Sequence, residues 1–76
     1  MFIMYQARTA ILNTDNLVSL YINPNRLSVE AFDNTTNLRT LGFYKNVEDC
    51  RKVLIAINNA IADGKKTFSM PLGGEV

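Results

Sequence analysis

One stretch, Asn46 to Gly64, carries helical periodicity, and it restricts the chain to a single helix. Val47, Cys50, Val53, Leu54, Ile57, Ala60 and Ile61 recur three and four residues apart, which lines one face of a helix. Asn46 stands where an N-cap is wanted, and Glu48 and Asp49 suit the positive end of the helix dipole. Gly64 stands where a left-handed C-cap is wanted, with Lys65 and Lys66 near the negative end. An Ile57→Asp substitution on this face is expected to unfold the domain by burying an unpaired charge.

Everything before the helix is short, β-branched and aromatic, so it reads as strands. Met1 to Gln6 alternates. Ala7-Arg8-Thr9 can turn the chain into a second short strand, Ala10-Ile11-Leu12, and Asn13-Thr14-Asp15-Asn16 is a cluster of turn formers. Leu17 to Ile22 is the strongest strand, with Val18, Leu20 and Ile22 expected on one face and Leu17, Ser19 and Tyr21 on the other. Pro24 stops it. Leu27 to Phe32 follows, with Leu27, Val29 and Ala31 set opposite Ser28, Glu30 and Phe32. A polar loop at Asp33 to Asn37 leads to Leu38 to Tyr44, where Leu41 and Phe43 are expected inward and Gly42 marks a bulge or a close backbone approach. Thr67 to Met70 can add a last short strand that Pro71 ends. The expected fold is α+β: a small antiparallel β-meander of four to five strands, packed by one C-terminal amphipathic helix. Residues 1–72 form one domain and residues 73–76 a flexible tail. Local connections favour antiparallel over parallel pairing.

A chain of 76 residues buries only about 60% of its unfolded surface. Yet 47% of its residues are apolar. A one-layer sheet with one helix leaves its other face uncovered, so a homo-oligomer is expected. A net charge of +1 offers no strong field to nucleic acid or an anionic membrane. The single cysteine cannot form an intramolecular disulfide, no basic region precedes the short apolar N-terminus, and no stretch approaches a membrane span. These features point to a soluble, cytoplasmic protein. Asn34-Thr35-Thr36 matches a glycosylation sequon and is read as a turn.

Histidine is absent, which removes the commonest general base and metal ligand and every Ser-His or Cys-His nucleophile. Cys50 lies on the apolar helix face, where a buried, inert thiol is expected. Glu48 and Asp49 are adjacent and diverge by about 100° on a helix, so they cannot share a substrate or metal. Asp33 with Asn34 lacks further cation ligands at matched spacing. Gly64-Lys65-Lys66-Thr67 looks like the end of a phosphate loop but follows a helix instead of opening one, and its upstream glycine is missing. No cofactor or metal is expected, and no enzyme.

Binding surface remains. Arg39, Lys45 and Tyr44 are the first candidates for contact with an anionic ligand, followed by Arg8, Arg26 and Tyr21. Arginine forks pair with phosphate or carboxylate, and tyrosines stack on bases or fill interfaces. The plainer reading of each is a solvated cation or a tyrosine covering a sheet edge.

Asn13-Thr14-Asp15-Asn16-Leu17-Val18 before a strand ending in Tyr21-Ile22, Leu41-Gly42-Phe43-Tyr44 before the helix, and Phe68-Ser69-Met70-Pro71 after it carry a likeness. With these segments the chain resembles a diffuse group of short, mostly uncharacterised proteins borne by phages and prophages of Gram-positive bacteria. Cys50 replaces the small residue more usual in that group, which suits packing, and the group brings no agreed catalytic residues. The resemblance implies a non-catalytic anti-defence protein in the host cytoplasm. Its most concrete form sequesters a nucleotide-derived immune signal as a homo-oligomer. The alternative is a protein-interaction module that inhibits or adapts a host or phage protein. A weak nucleic-acid binder of SH3-like or PH-like shape is disfavoured by the near-neutral charge.

Overall fold

The computed structural model describes residues 1–76, and the helix forms where periodicity placed it: α1 spans Val47–Ala62. The Asn46 side chain accepts from the Asp49 N–H at 2.7 Å and so caps the first turn. At the far end Gly64 adopts φ +71°. Its N–H donates to the Ile61 carbonyl at 3.1 Å and the Lys65 N–H donates to the Ala60 carbonyl at 3.0 Å, a Schellman closure.

Six strands surround it: β1 (Phe2–Met4), β2 (Ile11–Asn13), β3 (Leu17–Asn23), β4 (Ser28–Asp33), β5 (Leu38–Phe43) and β6 (Thr67–Ser69). The expected α+β class holds, with β3, β4 and β5 as an antiparallel meander. The single layer does not. β2, β1 and β6 form a second three-stranded sheet, and β1 pairs in parallel with β6, Ile3 lying beside Phe68. Everything between them, β2 to β5 and then α1, forms the long connection that lets β6 return beside β1 in this direction, against the antiparallel pairing expected from local connections. One core joins the pieces: Ile3 from β1, Val29 and Ala31 from β4, Leu41 from β5, Cys50, Val53 and Ile57 from α1, with Tyr44 and Met70.

Two bulges shift the expected faces. In β5 Val29 faces Gly42 and Glu30 faces Thr40, so Leu41 is the extra residue. The alternation therefore inverts: Leu41 and Tyr44 are buried and Phe43, expected inward, turns out at 49% exposure. In β3 the register slips between Leu17 and Ser19. Val18 is thrown out at 68% exposure, while Leu17 joins Leu20 and Ile22 against the core. Central β4 is covered on both faces, which buries Ser28 and Glu30 on the side opposite Val29 and Ala31. The C-terminal residues expected as a mobile tail form a 3-10 turn over Gly73–Glu75, and Val76 packs on the core.

The meander's two edges differ. At β5, Gln6 takes the place of a neighbouring strand: its N–H donates to the Leu41 carbonyl at 2.9 Å, its side-chain oxygen accepts from the Phe43 N–H at 2.9 Å, and its Nε2 donates to the Phe43 carbonyl at 2.8 Å. At β3 the residues from Val18 to Asn23 make no backbone hydrogen bond except to β4. That edge is open.

Candidate functional site

The six candidate residues do not converge on one site. Arg26 and Tyr21 meet around Glu30, whose carboxylate is 1% exposed. Ser28 Oγ donates to Glu30 Oε2 at 2.7 Å, Tyr21 Oη donates to Oε1 at 3.1 Å, and Arg26 Nη1 lies 3.5 Å from Oε2. The Arg26 guanidinium also sits 5.4 Å from the centre of the Phe43 ring. Burial alone would raise the Glu30 carboxyl. The hydrogen bonds from Ser28, Tyr21 and Asn23 and the Arg26 charge outweigh it and hold the carboxyl below its ordinary value. Burial and the neighbouring Glu30 push the Tyr21 hydroxyl up in turn.

Arg39 is drawn instead to the β4–β5 loop. Asp33 Oδ1 accepts from the Thr35 N–H, the Thr35 hydroxyl and the Asn37 N–H at 2.9, 2.7 and 3.0 Å, while Arg39 Nε reaches Oδ2 at 3.4 Å. Those hydrogen bonds, the Thr35 hydroxyl first, hold the Asp33 carboxyl low. Lys45 lies 3.9 Å from Asp49 Oδ2, a buried oxygen with no hydrogen-bond partner. Tyr44 and Arg8 meet elsewhere, on the carbonyls that follow β6. Tyr44 Oη donates to Pro71 at 2.8 Å and Arg8 Nη1 to Met70 at 2.6 Å. Burial pushes the Tyr44 hydroxyl up to about 12, so it stays a donor. Five of the six therefore already contact a carboxylate or carbonyl of their own chain, while Lys45 stands largely exposed with Asp49 only at ion-pair distance, and the six point to separate places.

Cys50 is fully buried, and burial with the adjacent Asp49 pushes its thiol up, away from the reactive thiolate. No three Cys, Asp or Glu side chains cluster to hold a metal ion. No helix is long and apolar enough to cross a membrane.

Apolar side chains are exposed in more than one place, around Phe2 and Ile11 on the other sheet and at the β3 edge, and the latter is the larger surface. Between β3 and α1 runs a groove of about 380 Å³ lined by Leu20, Leu54, Ile55, Ile57, Asn58 and Ile61. It continues, through Leu20 and Ile61, into a wider trough of about 510 Å³ where Met1, Leu17 and Val18 meet Thr14, Asp15, Ser19 and Lys65. Val18, Ile55 and Ile61 remain 68%, 58% and 51% exposed. Sequence periodicity placed Ile61 on the apolar face of the helix and Val18 on the same strand face as Leu20 and Ile22. It left Ile55 off the helix's apolar face, and an isoleucine on the polar side of an amphipathic helix was the signal available for this surface. Comparison of the chain with protein-family models, curated proteins and solved structures gives no match.

Proposed function

We propose that this protein acts by binding and not by catalysis, as an interaction module whose working surface is the groove between β3 and α1. The observation that carries this reading is the coincidence of an unpaired strand edge with an apolar trough beside it, Val18, Ile55 and Ile61 standing exposed around both. An extended segment added to β3 gains main-chain hydrogen bonds and an apolar flank together. The chemistry of the chain supports the non-catalytic part: there is no histidine, the one thiol is buried, and Glu30 and Asp33 are held by their own hydroxyls and arginines. The likeness to short phage-borne proteins suggests the setting, inhibition or adaptation of a host protein in the cytoplasm.

A photo-crosslinking residue at position 18, with position 38 on β5 as the control, tests this in the cell that makes the protein. Adducts from position 18 alone are expected; adducts from position 38 alone, or from neither, overturn it.

Sequestration of a nucleotide-derived signal is the second reading. What favours it is the polar rim of the wider trough, where Lys65 and Ser19 lie, with the Asp15 carboxylate beside them and the Thr14 hydroxyl already donating to the Met1 carbonyl at 2.9 Å. It moves the ligand away from the six residues singled out by type, since those point to separate places. Native mass spectrometry with a panel of cyclic oligonucleotides and ADP-ribose-derived signals separates the two readings. Stoichiometric retention of a nucleotide supports sequestration, and a bare chain leaves the protein partner.

A further inference from the structure

We infer that the open β3 edge takes a second copy of this chain, β3 pairing antiparallel with its own twofold mate so that two three-stranded meanders become one six-stranded sheet. This rests on the groove being the working surface and names its occupant. Four observations select a copy of the same chain.

First, the meander has one long apolar edge to offer. Gln6 closes the Leu41–Phe43 end of β5 and leaves only the short Leu38–Thr40 stretch, which carries Arg39, whereas the backbone from Val18 to Asn23 is unpaired on its outer side. Strand edges of natural monomers are blunted by Lys, Pro, inward charges or bulges; β3 has no Lys, Pro or charge across Leu17–Asn23, and its one bulge lies at the Val18 end. The Val18 bulge confines the regular ladder to Ser19–Asn23 and sets Val18 out as a knob at one end.

Second, an uncharged strand can meet itself with no like charges opposed, which an isologous twofold contact requires. The charges flanking β3 are of opposite sign, Asp15 before it and Arg26 after it. Antiparallel self-pairing brings the Asp15 end of each copy to the Arg26 end of the other.

Third, the apolar groove lies along the same edge. Leu20 from β3 lines it together with Ile55 and Ile61 from α1. Pairing the strands brings the two grooves to one seam, and four half-exposed isoleucines leave water together.

Fourth, the area suffices. Any one side of a molecule measuring 28 × 27 × 22 Å, a sixth of its 4653 Å² surface, offers roughly 780 Å², so the size of the chain permits the ~800 Å² per partner of a stable interface.

Sedimentation velocity of the full chain over about 1–200 μM tests the inference, because self-association makes the species concentration-dependent. Ile55→Lys/Ile61→Lys is compared with Phe2→Lys/Ile11→Lys, which alters a separate apolar surface. Circular dichroism checks that each variant is folded, all four positions being exposed in the monomer. A dimer is expected, weakened about 100-fold or more by the first pair and unchanged by the second. Hydrogen exchange at Ser19–Asn23 should slow as concentration rises. A chain that stays monomeric throughout, a dimer that survives Ile55→Lys/Ile61→Lys, or a dimer without added protection in β3 overturns the inference. A monomer that still forms crosslinks from position 18 to other proteins sinks the self-pairing alone. A monomer with no such crosslinks sinks the groove reading as well.

Discussion

Glu30 shows how one residue can be charged, buried and still favourable. Its two oxygens accept from Ser28 and Tyr21 with Arg26 beside them, so the carboxylate gives up water for three partners. Removing a hydrogen bond to a charged acceptor costs about 1.5–3 kcal/mol, which is the expected destabilisation for Ser28→Ala in urea melts at neutral pH. The pH dependence follows from the direction of the shift. A carboxyl held below its ordinary value of 4.5 adds stability that is fully present above that value and is lost as the pH falls through its lower native value. Asp33 is shifted the same way, so both carboxyls make the fold acid-labile. Ser28→Ala moves the Glu30 carboxyl back up. The acid limb of its stability curve should then be shallower than that of the native chain, with the two curves converging at low pH. Parallel curves with a constant gap would show that Ser28 acts through packing and not through the charge.

At the scale of elements, the caps and bulges decide where each strand and helix points. Asn46→Ala removes the bond to the Asp49 N–H and should cost about 1 kcal/mol by chemical melts, with Asn46→Ser recovering most of it. Gly42→Ala meets a harder obstacle, since a Cβ there would stand 3.0 Å from both the Gln6 Cβ and the Tyr44 hydroxyl. The Gln6 clamp on β5 must shift to admit it, an overpacking cost of about 1–3 kcal/mol. Exchange at the Phe43 amide, whose acceptor is the Gln6 side chain, should speed up with it. These are the features the sequence made legible. A helix of sixteen residues repeats its pattern often enough to be read, and a lone glycine in a strand announces a bulge or a close approach. The three short strands β1, β2 and β6 were legible one by one, but their pairing into a second sheet was not, because β6 returns to β1 from the far end of the chain and no local pattern records a parallel partner that distant. The Val18 bulge carries no glycine and so gave no warning, which inverted the expected faces of Leu17 and Val18. Of the candidate site, residue types could be read but partners could not. Arg39 and Lys45 look free in a string of letters, and only the folded chain sets them against Asp33 and Asp49.

For the whole molecule, size does not ask for a partner. A folded monomer of 8.5 kDa exposes about 4,700 Å² by surface scaling, and this one exposes 4653 Å². What favours association is instead where the apolar surface lies. Ile55 and Ile57 make that separable, being two residues apart on one helix and identical in chemistry. Ile57 is 1% exposed within the core that joins both sheets, whereas Ile55 is 58% exposed at the rim of the groove. An aspartate at position 57 buries an unpaired charge where both sheets and the helix meet. Loss of the cooperative melt is expected for Ile57→Asp, since the cost of several kcal/mol rivals the total stability of a domain this small. Ile55→Asp places the same charge in water and should keep the native melt within about 0.5 kcal/mol at dilute concentration, as surface substitutions do. Its effect should emerge only where the groove is occupied, as lost association at high concentration. If Ile55→Asp unfolds the dilute chain, the groove belongs to the core and not to the working surface. If Ile57→Asp melts like the native chain, α1 lies on its sheets by a different face.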